Sequence, residues 1–275
     1  MIFAIIAAVL LLILFALFAC SEELTVTSYV ISTDKVIDSV KILQVSDLHN
    51  ALYGKDQCVL ISEIDRLDPD VIVMTGDIAD PRDDNEENAF SLCRMLAEKY
   101  PCYYVIGNHE NAYPGRVSKI CARFAETGVK PLRGSGEKLK IGDSDILIAG
   151  VDDPLASPDY NLRMWENQLN DCCEMIEKGV FSVLLSHRPE CVNDYKATDF
   201  DLILAGHAHG GQVRIPKICE QGLYAPHQGW FPKYTSGRFE LKEGQTLIVS
   251  RGLSKFVRPR VFNRPELVLI TVEPK

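Results

Sequence analysis

The chain has 275 residues, 47% hydrophobic and 24% charged, which excludes a disordered chain, a collagen-like rod and a coiled-coil rod. Lys plus Arg number 29 against 38 Asp plus Glu, and the net charge of −9 excludes a general binder of DNA or RNA. Nine cysteines, odd in number and without CxxC spacing, read as buried thiols rather than zinc-finger ligands or a disulfide framework.

Residues 1–20 carry no charged side chain, and as a helix they reach about 30 Å, the thickness of a bilayer core. They read as a membrane anchor. The alternatives are a cleaved signal, giving a secreted protein, and a lipoprotein with Leu17-Phe18-Ala19-Cys20 as the lipidation site. Each alternative puts the protein at a membrane or across it. The acidic flank Ser21-Glu22-Glu23 favours an outward-facing catalytic domain, whereas the free-looking thiols favour a reducing interior.

Residues 21–39 read as a leading linker and an edge strand, with alternation over 24–32. Val40–Ser46 is a predicted strand ending in Asp47-Leu48-His49. Helical spacing follows over 55–67, with Val59, Leu60, Ile64 and Leu67 on one side. Val71–Thr75 is a strand ending in Gly76-Asp77. Residues 85–99 read as a helix whose opening acids, Asp83, Asp84, Glu86 and Glu87, suit the helix dipole. The strand Cys102–Ile106 runs into Gly107-Asn108-His109-Glu110, and a helix is expected over 116–126. Two or three strands fill 130–150, and a helix fits 161–177. Phe181–Leu185 ends in Ser186-His187, and Asp201–Ala205 ends in Gly206-His207-Ala208-His209-Gly210-Gly211. Strands near 235–241, 246–250 and 266–273 complete one α/β domain, residues 40–275, that no Pro-, Gly- or Ser-rich linker divides.

Five apolar runs thus end on metal-capable groups: Asp47 and His49, Asp77, Asn108 and His109, His187, and His207 and His209. These hold five of the six histidines. Open α/β sheets bind ligands outside the carboxyl ends of their strands, so one rim is expected to gather them. An extended backbone would point Asp47 and His49 to the same face, and His207 and His209 repeat that spacing. Gly76, Gly107 and Gly206 each precede a candidate ligand and permit a sharp departure from the strand. Imidazole, carboxylate and amide donors together suit Mn, Fe, Zn or Co. They are too many for one tetrahedral zinc and point to two divalent ions bridged by a carboxylate.

The set Asp47-x-His49, Gly76-Asp77, Gly107-Asn108-His109-Glu110, His187 and Gly206-His207-x-His209 spans residues 41–212 and resembles the calcineurin-like metallophosphoesterase superfamily. Gly222-Leu223-Tyr224-Ala225-Pro226 and Ser250-Arg251-Gly252-Leu253 resemble its bacterial membrane-anchored or exported subgroup. The resemblance implies a β-sandwich of two mixed sheets flanked by helices, with the site on the rim. It implies one metal on Asp47, His49, Asp77 and His209, and a second on Asp77, Asn108, His187 and His207, with Asp77 bridging. A shared hydroxide would attack phosphorus, His109 would protonate the leaving oxygen, and Asp80 would orient that histidine. The expected activity is hydrolysis of a phosphodiester or pyrophosphate, lipid-linked or nucleotide-linked. A phosphomonoesterase is the nearest alternative, and a membrane-tethered metal-binding scaffold is the non-enzymatic one.

Residues 251–264 carry Arg251, Lys255, Arg258, Arg260 and Arg264 without an acid. Arg251 and Arg258 are therefore expected to bind an anionic part of the substrate. Leu223, Tyr224, Trp230, Phe231 and Tyr234 either pack over the sheet or face a lipid or nucleoside. His227 reads as a loop residue outside the site, and Gln212 as a possible substrate contact.

Overall fold

A computed structural model describes residues 2–113, 115–154, 162–255 and 260–275. In chain order the elements begin with α1 (Ile2–Ala19), β1 (Thr25–Thr33), β2 (Val40–Val45), α2 (Cys58–Leu67), β3 (Val71–Met74), α3 (Glu87–Ala97) and β4 (Cys102–Tyr104). Next come α4 (Arg116–Glu126), β5 (Lys130–Pro131), β6 (Ser135–Ile141), β7 (Ser144–Gly150), α5 (Leu162–Cys173), β8 (Phe181–Leu185), α6 (Val192–Lys196) and β9 (Leu202–Ala205). The last are β10 (Tyr224–Ala225), β11 (Gly229–Trp230), β12 (Gly237–Lys242), β13 (Gln245–Val249) and β14 (Glu266–Pro274).

Two six-stranded mixed sheets form, in the orders β1-β14-β2-β3-β4-β5 and β12-β13-β9-β8-β7-β6. The central strands β3, β8, β9 and β13 are buried at every position, because both of their faces are covered. Alternate residues of each strand then serve different cores. Ile42, Val71, Val73 and Tyr103 meet Ile146, Ile148, Val183 and Leu204 between the sheets. Leu43, Ile72, Met74 and Tyr104 face outward, onto Leu60, Ile64, Phe90 and Phe124 of α2, α3 and α4. On the far side, Leu184, Ile203 and Leu247 take Trp165 and Leu169 of α5 and Tyr195 of α6. The fold is the sandwich that the sequence motifs implied.

Strands β2, β3 and β4 run parallel, as do β7, β8, β9 and β13, so the loops that follow them leave at common rims. One polar side chain ties the sheets together below that rim. Gln44 on β2 is fully buried and donates to Thr75 Oγ1 at 2.9 Å and to the Ala205 carbonyl of β9 at 2.9 Å.

The expected strand over 24–32 is β1, an edge strand that pairs in parallel with the C-terminal strand β14. The helix expected to run to 177 stops at Cys173. The short helix α6 and the β10–β11 hairpin were not foreseen: elements of five and two residues are too short to show a periodicity. Helix α1 has 18 apolar residues with mean hydropathy 3.3, which is long and apolar enough to cross a membrane. Only Ala19 of it is buried.

Gln44→Leu keeps the size but removes both side-chain hydrogen bonds, while the Ala205 carbonyl keeps the Ser250 amide. It should cost about 1 kcal/mol, the usual net worth of a buried hydrogen bond. A lowered urea midpoint with an unchanged m-value would register it; an unchanged midpoint would contradict the tie.

Candidate metal centre

Loops at the ends of β2, β3, β8 and β9, and the loop that follows β4, deliver the candidate ligands. Two clusters result, each with its side-chain ligand atoms within 4.8 Å of one another: Asp47, His49 and His209, and Asp77, His187 and His207. His209 Nε2 lies 3.7 Å from Asp47 Oδ1, and His49 Nε2 lies 4.0 Å from the same oxygen. In the second cluster His187 Nε2 is 3.2 Å from both Asp77 Oδ2 and Asn108 Oδ1, and 3.1 Å from His207 Nδ1. Asp77 Oδ2 joins the two, since it is also 3.7 Å from His49 Nε2. All seven expected ligands are thus brought together.

The surroundings set which atoms point inward. His187 Nδ1 donates to the Thr75 carbonyl at 2.7 Å, which turns Nε2 toward Asp77 and Asn108. His49 Nδ1 faces Asp80 Oδ2 at 3.1 Å, so its Nε2 likewise turns toward the carboxylates. Burial, reinforced by neighbouring imidazoles, holds His207 and His209 well below the ordinary histidine value and keeps them in the neutral, ligating form. His49 Nε2 and Asp77 Oδ2 are buried without any hydrogen-bond partner. Unsatisfied buried donors and acceptors are rare. These two face each other across the junction of the clusters, which fits a donor set built for divalent cations.

The backbone pays a conformational cost for this convergence. Asp47, His49, Asp77, His207 and His209 all have φ between 46° and 66°. These pairs therefore do not project from extended segments, as the i, i+2 spacing suggested; each ligand sits in a left-handed turn. Gly107 and Gly206 are needed for a different reason. A Cβ on Gly107 would run into Asp77, and one on Gly206 into Ser46 and Asp47.

Glu110 holds the centre from below. It is fully buried and accepts the backbone N–H groups of Asp77, Ile78, Ala79 and Gly107 at 2.7–3.0 Å. Burial raises its carboxyl to about 7, with the Asp77 charge adding and the backbone donors opposing. Asp77 Oδ1 accepts the His109 amide at 2.8 Å, and Asp47 accepts the His207 amide at 3.1 Å. Each loop is thus pinned to a ligand of another.

His109 stands beside the clusters, with Nε2 3.7 Å from Asp77 Oδ2 and Nδ1 2.9 Å from Asp80 Oδ2. Asp80 therefore touches both His109 and His49. Arg82 completes this corner. Its guanidinium donates to Asp80 at 2.7 Å and lies 2.8 Å from His109 Nδ1, with its side chain half exposed. His227 closes the other end, with Nδ1 3.0 Å from His207 Nε2. It belongs beside the centre and not to a detached loop.

Glu110, Arg82 and His227 were missed as site residues. Glu110 and Arg82 had a local signal, being adjacent to His109 and two residues past Asp80. His227 had none, because the β10–β11 hairpin brings it in from twenty residues beyond His207.

The Arg251 guanidinium is engaged within the fold. Its guanidinium donates to the buried Glu266 at 2.6 Å, and its amide donates to the same carboxylate at 2.8 Å, tying the strap after β13 to β14. The absence of an acid within 251–264 hid a partner supplied from outside the window. Arg258 lies outside the described residues. Arg260 is buried and donates to the carbonyls of Ser254 and Arg251.

The calcineurin-like phosphoesterase family model matches residues 40–211, the stretch that carries every candidate ligand. This chain belongs to that family. Its relatives include a Campylobacter jejuni chain described as the uncharacterized metallophosphoesterase Cj0846, 30% identical over 98% of this chain and 69% of its own length. The uncharacterized metallophosphoesterase YkuE of Bacillus subtilis is 33% identical over 86% of this chain and 80% of its own. A Bos taurus transmembrane protein with a metallophosphoesterase domain is 26% identical over 86% of this chain and 54% of its own.

Glu110→Gln keeps the shape but turns an NH₂ group toward backbone donors. It should weaken metal affinity about 10–100-fold, the usual effect of disturbing a residue that orients ligands. Competition with a chelating dye would measure it, and wild-type affinity in a folded variant would contradict this role for Glu110.

Proposed function

We propose that the chain hydrolyses a phosphodiester or pyrophosphate bond with two divalent cations, of the Mn, Fe, Zn or Co type, at a membrane to which α1 anchors it. The observation that carries this reading is Asp77 Oδ2. It is buried and accepts no hydrogen bond, with His49 Nε2 and His187 Nε2 on either side. Asp47, His49, Asp77 and His209 would hold one cation, and Asp77, Asn108, His187 and His207 the other. When bound, the pair supplies charge neutralisation at the phosphoryl oxygens and activation of water near neutral pH.

The chain's own groups provide the proton and the orientation. Asp80 fixes His109 through Nδ1, which turns Nε2 toward the space beside Asp77. Burial disfavours a charged His109, yet the Asp77 and Asp80 carboxylates outweigh it and hold the ring above the ordinary histidine value. An imidazolium in that place can protonate a departing alkoxide. Arg82, half exposed at the same corner, is placed to bind phosphate oxygens in the role first assigned to Arg251. A positive side chain beyond the ligand cluster suits a second phosphate, which favours the pyrophosphate.

His109→Ala should lower kcat about 10²–10⁴-fold, the range for a lost general acid, and leave metal stoichiometry unchanged. The deficit should shrink for esters with good leaving groups. Equal deficits for p-nitrophenyl and alkyl diesters would contradict the acid role, and faster turnover of monoesters than diesters would contradict the bond assignment.

A further inference from the structure

The exposed aromatic residues after the centre are not packed over the sheet. Trp230 and Phe231 are 72% and 73% exposed, and Ile218, at the tip of the neighbouring turn, is 82% exposed. Their position relative to α1 follows from a run of backbone hydrogen bonds. The Phe262 amide donates to the Ala19 carbonyl at 2.6 Å, and the Phe262 ring packs edge-on against Phe15 and Phe18 of α1. Val261 bridges to Val213, which leads directly into the Ile215–Ile218 turn. The Leu223 amide donates to the Val213 carbonyl at 2.9 Å, and the Phe231 amide to the Leu223 carbonyl at 2.9 Å. Neighbouring segments lie about 4.8 Å apart, so four such spacings put Phe231 within about 20 Å of the end of α1 along this run.

The metal centre shares this ladder. Asn263, next to Phe262, donates to the His209 carbonyl at 2.7 Å. His227, in the hairpin that carries Trp230, faces His207. The end of α1, the ligands and the exposed apolar residues are therefore joined through one run of neighbouring segments. Lys217 and Lys233 are exposed beside Ile218 and Phe231, with Glu220 as the acid nearby in the chain. Exposed aromatics flanked by lysines, joined to an apolar helix that is exposed along most of its length, match the chemistry of a bilayer interface.

We propose that the Ile215–Ile218 turn and the Trp230–Phe231 tip dock into the leaflet that holds α1, so that the centre acts on phosphate esters borne by lipids in that same leaflet. This rests on the phosphoesterase reading above. The anchor limits the distance from the membrane, and the docked tip sets the orientation, bringing headgroup phosphates to the rim where His109 and Arg82 stand.

The chain has two tryptophans, Trp165, which is buried, and Trp230. The full-length protein should therefore be reconstituted into phosphatidylcholine–phosphatidylglycerol vesicles with or without brominated acyl chains. Brominated lipid should quench about half of the emission, and Trp230→Phe should abolish the quenchable part. Equal emission in the two lipids would overturn the docking surface, and would leave the face to a protein partner or to solvent. In the same vesicles, a Trp230→Ser, Phe231→Ser double variant should lose about 10-fold in hydrolysis of a lipid with a p-nitrophenyl phosphodiester headgroup. Its turnover of soluble bis-p-nitrophenyl phosphate should match wild type. Parallel loss on both substrates would overturn selective lipid presentation. Wild-type protein inert toward both esters with every metal would instead refute the phosphoesterase reading, while the quenching result would still decide the surface.

Discussion

Asp77 presents one carboxylate to two sets of ligands. Its Oδ1 accepts the His109 amide, and its Oδ2 lies bare between His49 on one side and His187 on the other. A buried carboxylate oxygen that accepts no hydrogen bond is costly, and a cation on each side would remove that cost. The rest of the architecture keeps this oxygen in place. Glu110 gathers the amides of residues 77–79 and of Gly107, so the loops after β3 and β4 move as one. Gln44 couples the sheet that carries Asp77 to the sheet that carries His207.

Five candidate ligands sit in left-handed backbone, a conformation worth about 1–3 kcal/mol of strain each for a non-glycine residue. Such strain persists only when the surroundings over-determine it. The doubly covered strands beneath the loops do this, because a strand buried on both faces can neither slip nor tilt without opening a core. The same support that holds these ligands keeps Asp77 Oδ2 between the two clusters.

Most of the fold was legible because the buried parallel strands are short apolar runs, each followed at once by a glycine or a polar ligand. Val71–Met74 before Gly76-Asp77 and Leu202–Ala205 before Gly206-His207 illustrate the pattern. The candidate cluster was legible because side chains of that chemistry fall nowhere else in such order. The left-handed turns were not, since Asp and His are enriched at positive φ but adopt it in only a minority of cases. Contacts between segments far apart in the chain were also invisible. Arg251 looked available because Glu266 lies outside its basic window, and His227 looked detached because two-residue strands bring it to His207. The position of α1 against Phe262 belongs to the same class: composition identified the helix, and only tertiary structure put its end beside the metal rim.

The joint occupancy of the two clusters can be observed without any substrate. Electron paramagnetic resonance of the full chain loaded with Mn²⁺ should give the spectrum of an exchange-coupled pair at two ions per chain. Asp77→Asn should convert it to that of isolated Mn²⁺. A spectrum of isolated ions in the wild-type protein, or saturation at one ion per chain, would contradict a carboxylate shared between two metals.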